Sequence, residues 1–105
     1  MKIGIIISTT DAEVVWNALR FANTAILEEH EVKIFLLGKG VEIENIKDEK
    51  FSVKEQLDRL NQVGGQMLAC GTCIKSRQMQ FEVCPISTMK DMLNLVVESD
   101  KVLTF

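Results

Sequence analysis

Three residues of this 105-residue chain stand out for their reactivity: Cys70, Cys73 and Cys84. Two of them sit in the segment Met67-Leu68-Ala69-Cys70-Gly71-Thr72-Cys73-Ile74-Lys75-Ser76-Arg77. An odd number of cysteines, in a chain that reads as cytoplasmic, disfavours a disulfide framework and points to thiol chemistry or a metal. By itself a CxxC is compatible with redox, metal-binding and sulfur-transfer roles. A zinc site needs about four ligands, and only Cys84 and the lone His30 remain to complete one. His30 lies in Glu28-Glu29-His30-Glu31 and reads as an exposed turn residue, so no metal and no cofactor is expected.

The position of Cys70 sharpens this. Gln66 to Ala69 reads as a short strand leading straight into it, and a helix is expected from about Cys73 to Gln80. Cys70 then stands past the carboxyl end of a parallel strand, the edge where open α/β sheets collect ligands and reactive groups. Gly71 permits a tight turn and a close backbone approach. The free N–H groups and dipole of the next helix favour an anion, so the Cys70 thiol is expected to ionise more readily than usual. No acidic residue occurs between Asp58 and Glu82, whereas Arg59, Lys75 and Arg77 add three positive charges. That setting suits a thiolate or a bound sulfur anion, although Lys75 and Arg77 also fit an ordinary solvated helix face. Cys73, one helical turn on, and Cys84, in Val83-Cys84-Pro85, each have plain packing as the alternative.

The rest of the chain supplies elements to hold such a site. Ile3 to Ile7 is almost wholly apolar, as in a strand covered on both faces. Ser8-Thr9-Thr10-Asp11 offers turn and N-cap chemistry for a helix from about Ala12 to Glu29. Val32 to Leu37 reads as a second strand closed by Gly38-Lys39-Gly40, and Val41 to Glu49 as a charged surface loop. Ser52 and Glu55 form a candidate capping box for a helix from Val53 to about Val63, which Gly64-Gly65 ends. A turn is expected around Cys84-Pro85. Thr88 with Asp91 caps a last helix through Val97, and Lys101 to Phe105 reads as the final strand. Strand and helix alternate throughout, predicting right-handed crossovers and a small α/β three-layer domain with a mainly parallel sheet of about five strands.

The first helix carries more apolar surface than one sheet requires. Its arc runs from Phe21 and Val14 through Ala18, Ala22 and Leu19 to Trp16 and Leu27, roughly 240° against a stripe of a little over 100°. Either the long loop covers the surplus or a second subunit does, and association is the expectation for so small a domain.

Composition narrows the class. The chain is 47% apolar and 26% charged with net charge −3, which fits one folded domain over residues 1–105 and excludes disorder. No apolar run approaches the roughly 20 residues of a membrane span. The short apolar start lacks a cleavage site, so it reads as a strand and not as a signal peptide. The acidic balance argues against nucleic acid or an anionic membrane as partner.

Taken end to end, the sequence resembles the DsrE/DsrF-like sulfur-relay family, especially its small YchN-like members. The resemblance rests on the apolar first strand with its Ser/Thr loop, on Gly38-Lys39-Gly40-Val41-Glu42, and on Cys70-Gly71-Thr72-Cys73 with Arg77 beyond. The ending Ser99-Asp100-Lys101-Val102-Leu103-Thr104-Phe105 extends it. It implies a flavodoxin-like parallel sheet, assembly into homotrimers or homohexamers, and a persulfide-carrying cysteine at the edge of strand three, here Cys70. Cys73 matches only part of the family's pattern.

Three functions follow. The first is a cytoplasmic sulfur carrier that accepts sulfane sulfur on Cys70 from a protein or small persulfide and passes it to an acceptor. Gly71, Thr72, Arg77 and the hydroxyls of Ser8, Thr9 and Thr10 are its candidate pocket residues; for those hydroxyls a helix cap is the plainer role. The second is a dithiol oxidoreductase or persulfide reductase, in which Cys73 attacks the inner sulfur of a Cys70 persulfide, releasing sulfide and leaving a disulfide. The third is a non-catalytic oligomeric binding module. The Ser8-Thr9-Thr10 loop is similar to a flavodoxin phosphate loop but lacks its glycine.

Overall fold

The apolar runs and the capping residues between them organise a five-stranded sheet, seen in a computed structural model that describes residues 1–77 and 86–105. The elements are β1 (Lys2–Ile7), α1 (Ala12–Leu27), β2 (Glu31–Leu36), a 3₁₀ segment (Gly38–Asn45), α2 (Val53–Gln62), β3 (Gln66–Cys70), α3 (Gly71–Ser76), β4 (Ile86–Ser87), α4 (Met89–Glu98) and β5 (Lys101–Thr104). The strand order is β4-β3-β2-β1-β5, and every pairing is parallel. The expected α/β architecture is present, with a sheet that is wholly parallel among the described residues. The expected turn at Cys84-Pro85 lies outside them.

Caps fix the helix starts. Asp11 accepts from the Val14 N–H at 3.0 Å and itself donates its N–H to Thr9 Oγ1 at 3.1 Å. At α4 the capping box is complete: Thr88 Oγ1 accepts from the Asp91 N–H, and Asp91 Oδ2 accepts from the Thr88 N–H at 2.8 Å. The Thr88 N–H, and after it the Thr88 hydroxyl donating to the same oxygen at 3.0 Å, hold the Asp91 carboxyl below its ordinary range. At α2 only half of the expected box forms. Ser52 Oγ accepts from the Glu55 N–H at 3.4 Å, whereas the Glu55 carboxylate turns outward to Arg59 at 2.9 Å. α1 stops at Leu27, two residues short of the expected end, and Glu29 takes a left-handed φ of 69°.

Residues paired across β1, β2 and β3 share a face, because side chains alternate along each strand. Ile5, Ile7, Ile34, Leu36 and Ala69 pack with Val15, Leu19, Ala22 and Leu60 of α1 and α2 in the buried core. Gly4 faces α4, where a Cβ would fall 2.5 Å from Leu95 Cδ2. Right-handed crossovers account for this: β1 to β4 step one way across the sheet, and the return to β5 sends α4 to the other face.

Three readings of the sequence change. Val41 to Glu49 is not simply a charged loop, since Gly38–Asn45 winds as a 3₁₀ helix with Gly40, Val41 and Ile43 buried. Its three-residue period places Gly40 and Ile43 on one face with Val41 buried beside them, a spacing that resembles neither an α-helix nor a strand. The helix after Cys70 starts at Gly71, ahead of the expected Cys73, and runs to Ser76 with Arg77 at its C-cap, while the expected end at Gln80 lies outside the described residues. β4 is a two-residue strand that carries too few side chains to show a period.

The surplus on α1 is divided. Trp16 is covered by Phe51 from the segment after the 3₁₀ helix, ring centroids 5.2 Å apart, with the Arg20 guanidinium 4.3 Å from its ring centre. Val14, Phe21 and Leu27 stay exposed. A larger apolar surface lies on α4, where Met89, Leu93, Val96 and Val97 face solvent and only Leu95 is buried.

Gly40 is the tightest point of the fold. A Cβ there would lie 2.0 Å from the Ile7 carbonyl oxygen, so the 3₁₀ segment rests directly on the end of β1. Gly40→Ala should therefore lower stability by about 1–3 kcal/mol, the usual cost of overpacking, read as a lower urea midpoint. Gly38→Ala meets no steric neighbour but must hold φ +57°, and should cost about 1–2 kcal/mol. A Gly40→Ala protein as stable as wild type would mean that the segment does not seat on β1 as described.

Candidate functional site

The cysteine pair occupies the carboxyl edge of the sheet. Cys70 is the last residue of β3 and the N-cap of α3, with extended backbone at φ −62°, ψ 117°. Gly71 allows β4 to come alongside, since a Cβ on it would lie 2.8 Å from Ile86 Cγ2. Cys70 is only 2% exposed, while Cys73, in the first turn of α3, keeps part of its surface in solvent. α3 has six residues, so its dipole is that of little more than one turn.

What surrounds Cys73 comes from elsewhere in the chain. The backbone N–H of Gly38 points at Cys73 Sγ, 3.3 Å away. The left-handed φ of Gly38, just past β2, turns that amide toward the sulfur. Arg77 is held across the same gap: its Nε donates to Glu42 Oε2 at 2.9 Å, and its Nη1 donates to the Cys73 carbonyl oxygen at 3.3 Å. The 3₁₀ segment therefore clasps α3 at two points, one to a sulfur and one to a guanidinium.

Burial raises the Cys73 thiol above its ordinary value, and so does a hydrogen bond with the Cys70 side chain. The Gly38 N–H and the Arg77 charge act in the opposite direction. Cys70 at the N-cap and Cys73 three residues on stand as neighbours on the first turn of α3. Both cysteines are free thiols.

The positive surroundings read along the chain are altered by folding. Arg77 pairs with Glu42 and Arg59 with Glu55, which leaves Lys75, exposed on α3, outside these pairs. A scan for acids near Cys70 in sequence passes over Glu42, because only the fold brings it to Arg77, 35 residues away in the chain.

The other candidates are placed as follows. Thr72 is exposed on the first turn of α3, and Gly71 sits between Cys70 and β4. Ser8 is at the same sheet edge, but its N–H and Oγ both donate to the Phe105 carbonyl, at 2.9 and 3.3 Å. The Thr9 hydroxyl serves the turn before α1, and Thr10 is half-buried beside it. These hydrogen bonds of Ser8 and Thr9 close the β1–β5 side of the sheet, two strands from β3. His30 accepts a hydrogen bond from the Met1 amino group at 2.8 Å, immediately before β2. It is therefore at the amino edge of the sheet, about 15–20 Å from the cysteines by strand length. A cleft of about 350 Å³, lined by Lys2, His30, Glu31, Gln66 and Glu98 among others, also opens at that distant edge. The Gly38 N–H and Glu42 are the groups not assigned to the site from the sequence; the motif Gly38-Lys39-Gly40-Val41-Glu42, quoted for the family resemblance, was the visible signal.

The causes of the Cys73 shift carry a direct test. Cys70→Ala removes the neighbouring sulfur and its hydrogen bond, so the pH profile of Cys73 alkylation should move to lower pH. Arg77→Gln should move it to higher pH. A Cys70→Ala profile superimposable on wild type would mean that the two sulfurs do not interact.

Comparison with known proteins bears out the family and the fold. The profile of the DsrE/DsrF-like family matches residues 1–105. An uncharacterized protein of Methanocaldococcus jannaschii is 37% identical over 114 aligned positions, covering all of both chains. One from Methanopyrus kandleri is 39% identical over 97, covering 86% of this chain and 80% of its own. Among solved structures, the ychN protein of E. coli superposes with a TM-score of 0.82 over 100% of both chains at 22% identity. A conserved protein of unknown function from Bacteroides thetaiotaomicron superposes with a TM-score of 0.81 at 17% identity, over 99% of this chain and 94% of its own. With its parallel sheet, its edge cysteines and a profile match along its whole length, this chain belongs to the DsrE/DsrF-like family.

Proposed function

We propose that this protein is a sulfur-relay carrier, accepting sulfane sulfur and holding it as a persulfide on Cys70 before an acceptor takes it. The observation that carries this reading is the pairing of a 2%-exposed thiol with a partly exposed one whose sulfur faces a backbone N–H. Transfer requires a thiolate that attacks sulfur, and a carrier must also keep the product from adventitious reductants. A half-open pair meets both needs. Donors and acceptors are proteins with persulfides or small persulfides, and the free thiols suit the reducing cytoplasm. Among the described residues no helix is long and apolar enough to cross a membrane.

A second reading draws on one observation, the placing of Cys70 at the N-cap of α3 and Cys73 three residues on in its first turn. Sulfurs that close can form a disulfide. Attack by Cys73 on the inner sulfur of a Cys70 persulfide would release HS⁻ and make the protein a persulfide reductase.

Intact mass and peptide mapping after exposure to glutathione persulfide separate the two. The carrier gains one sulfur on Cys70, which dithiothreitol removes. Loss of two hydrogens with a Cys70–Cys73 disulfide moves the reductase reading to first place, and an unchanged mass overturns both.

We also propose assembly into a homotrimer or homohexamer. The exposed Leu93 and Val97 of α4, 60% and 73% accessible, and the exposed Phe21 of α1 leave apolar surface that a 105-residue domain is expected to cover by association. Light scattering at micromolar concentration should give an oligomer, and Leu93→Glu with Val97→Glu should shift it toward monomer. A wild-type monomer mass would remove the proposal.

A further inference from the structure

We infer that sulfur enters this protein on Cys73 and is then handed inward to Cys70, with the Gly38 N–H holding the charge on the Cys73 sulfur during both steps. The inference rests on the sulfur-relay reading and assigns its order of events. Three observations support it. Cys70 is 2% exposed, so its sulfur has little surface to offer a donor, whereas Cys73 reaches solvent. The Gly38 N–H is aimed at Cys73 Sγ, 3.3 Å away, the geometry of a donor to a sulfur anion. Cys70 at the N-cap of α3 and Cys73 three residues on in its first turn are neighbours on the same side of the helix, which gives the sulfur and the proton a short path between them.

The chemistry balances without any outside oxidant or reductant. In the first step the Cys73 sulfur attacks the outer sulfur of a donor persulfide, R–S–SH. A bond forms between Cys73 and that sulfur, the donor's S–S bond breaks, and R–S⁻ leaves and takes up the proton that Cys73 gave up. In the second step the Cys70 sulfur attacks the outer sulfur of Cys73–S–SH. The bond to Cys73 breaks, Cys70–S–SH forms, and Cys73 departs as a thiolate that the Gly38 N–H stabilises. The proton lost by Cys70 passes to Cys73. Each step exchanges one S–S bond for another, and both cysteines finish at their starting oxidation level.

This order differs from direct loading in what each cysteine does alone. Rapid-quench loading with one equivalent of glutathione persulfide, followed by peptide mapping, should show sulfur on Cys73 first and on Cys70 after a lag. Cys70→Ser should stop with sulfur on Cys73. Cys73→Ser should still load Cys70, but about tenfold or more slowly, because the exposed attacking thiol is gone. Wild-type protein should also react with a bulky maleimide at Cys73 before Cys70, a readout that requires no variant to fold. Cys70 loaded without a lag, together with Cys73→Ser loading at the wild-type rate, overturns the order while leaving the carrier function intact. Maleimide labelling of Cys70 ahead of Cys73 overturns it too. If no form takes up sulfur, the relay reading fails together with the order built on it, and the maleimide result then describes exposure alone.

Discussion

The cysteine edge depends on a single close approach, that of Gly40 to the Ile7 carbonyl at the end of β1. Leu37 donates its N–H to the same carbonyl at 3.0 Å, so β2 is still in register when the chain turns. The 3₁₀ segment then runs across the carboxyl ends of the strands. Only from that path can the Gly38 N–H reach Cys73 Sγ and Glu42 reach Arg77. The buried Val41 and Ile43 anchor the segment from below. A backbone contact therefore aims the groups that act on the sulfur. A rigid scaffold that presents an amide costs little to organise at the moment charge appears, and a side-chain donor in solvent lacks that advantage.

Much of the fold was legible because its elements announce themselves locally. Ser52, Thr88 with Asp91, and Asp11 are side chains whose oxygens satisfy the first N–H groups of helices, and each does so. The run of β1 from Ile3 to Ile7 has no polar face because helices cover both sides, as a parallel sheet requires, whereas β2 sets Lys33 beside Gly4 on the α4 face. Cys70 at the end of β3 was legible for the same reason. The Gly38 and Glu42 contacts were not. A backbone amide has no residue-type signature, and both contacts span 35 positions. The burial of Gly40, Val41 and Ile43 was hidden because their neighbours Glu42, Glu44 and Asn45 look like a solvated loop. On α1 the wide apolar arc was read correctly as surplus, but Phe51, which covers Trp16, sits 35 residues further along the chain.

The charge pattern shows how a linear count misleads. Arg59, Lys75 and Arg77 look like a positive field around Cys70, yet Glu55 and Glu42 pair with the two arginines. Arg77 is thereby spent mainly on tying α3 to the 3₁₀ segment. Its charge still lowers the Cys73 thiol, but as the smallest of five influences, with burial the largest. The site thus starts from protonated thiol at Cys73 and gains its anion only as reaction proceeds. That suits a relay in which a proton is exchanged between neighbouring sulfurs at each step, and it limits idle thiolate exposed to oxidation.

The position of the pair in the strand order supports the same division of labour. In a doubly wound sheet the open crevice lies where the strand order reverses, which here is beside β1, the strand between β2 and β5. That position is closed by Ser8 and Phe105, joined through the Ser8 N–H and Oγ and by the return bond from the Phe105 N–H to the Ile6 carbonyl. The cysteines instead sit on β3, with β2 between them and the reversal. A crevice at the reversal would admit a cofactor between two loops. A site on β3 is bounded by the short α3 and the 3₁₀ segment, and it presents one sulfur outward with another behind it.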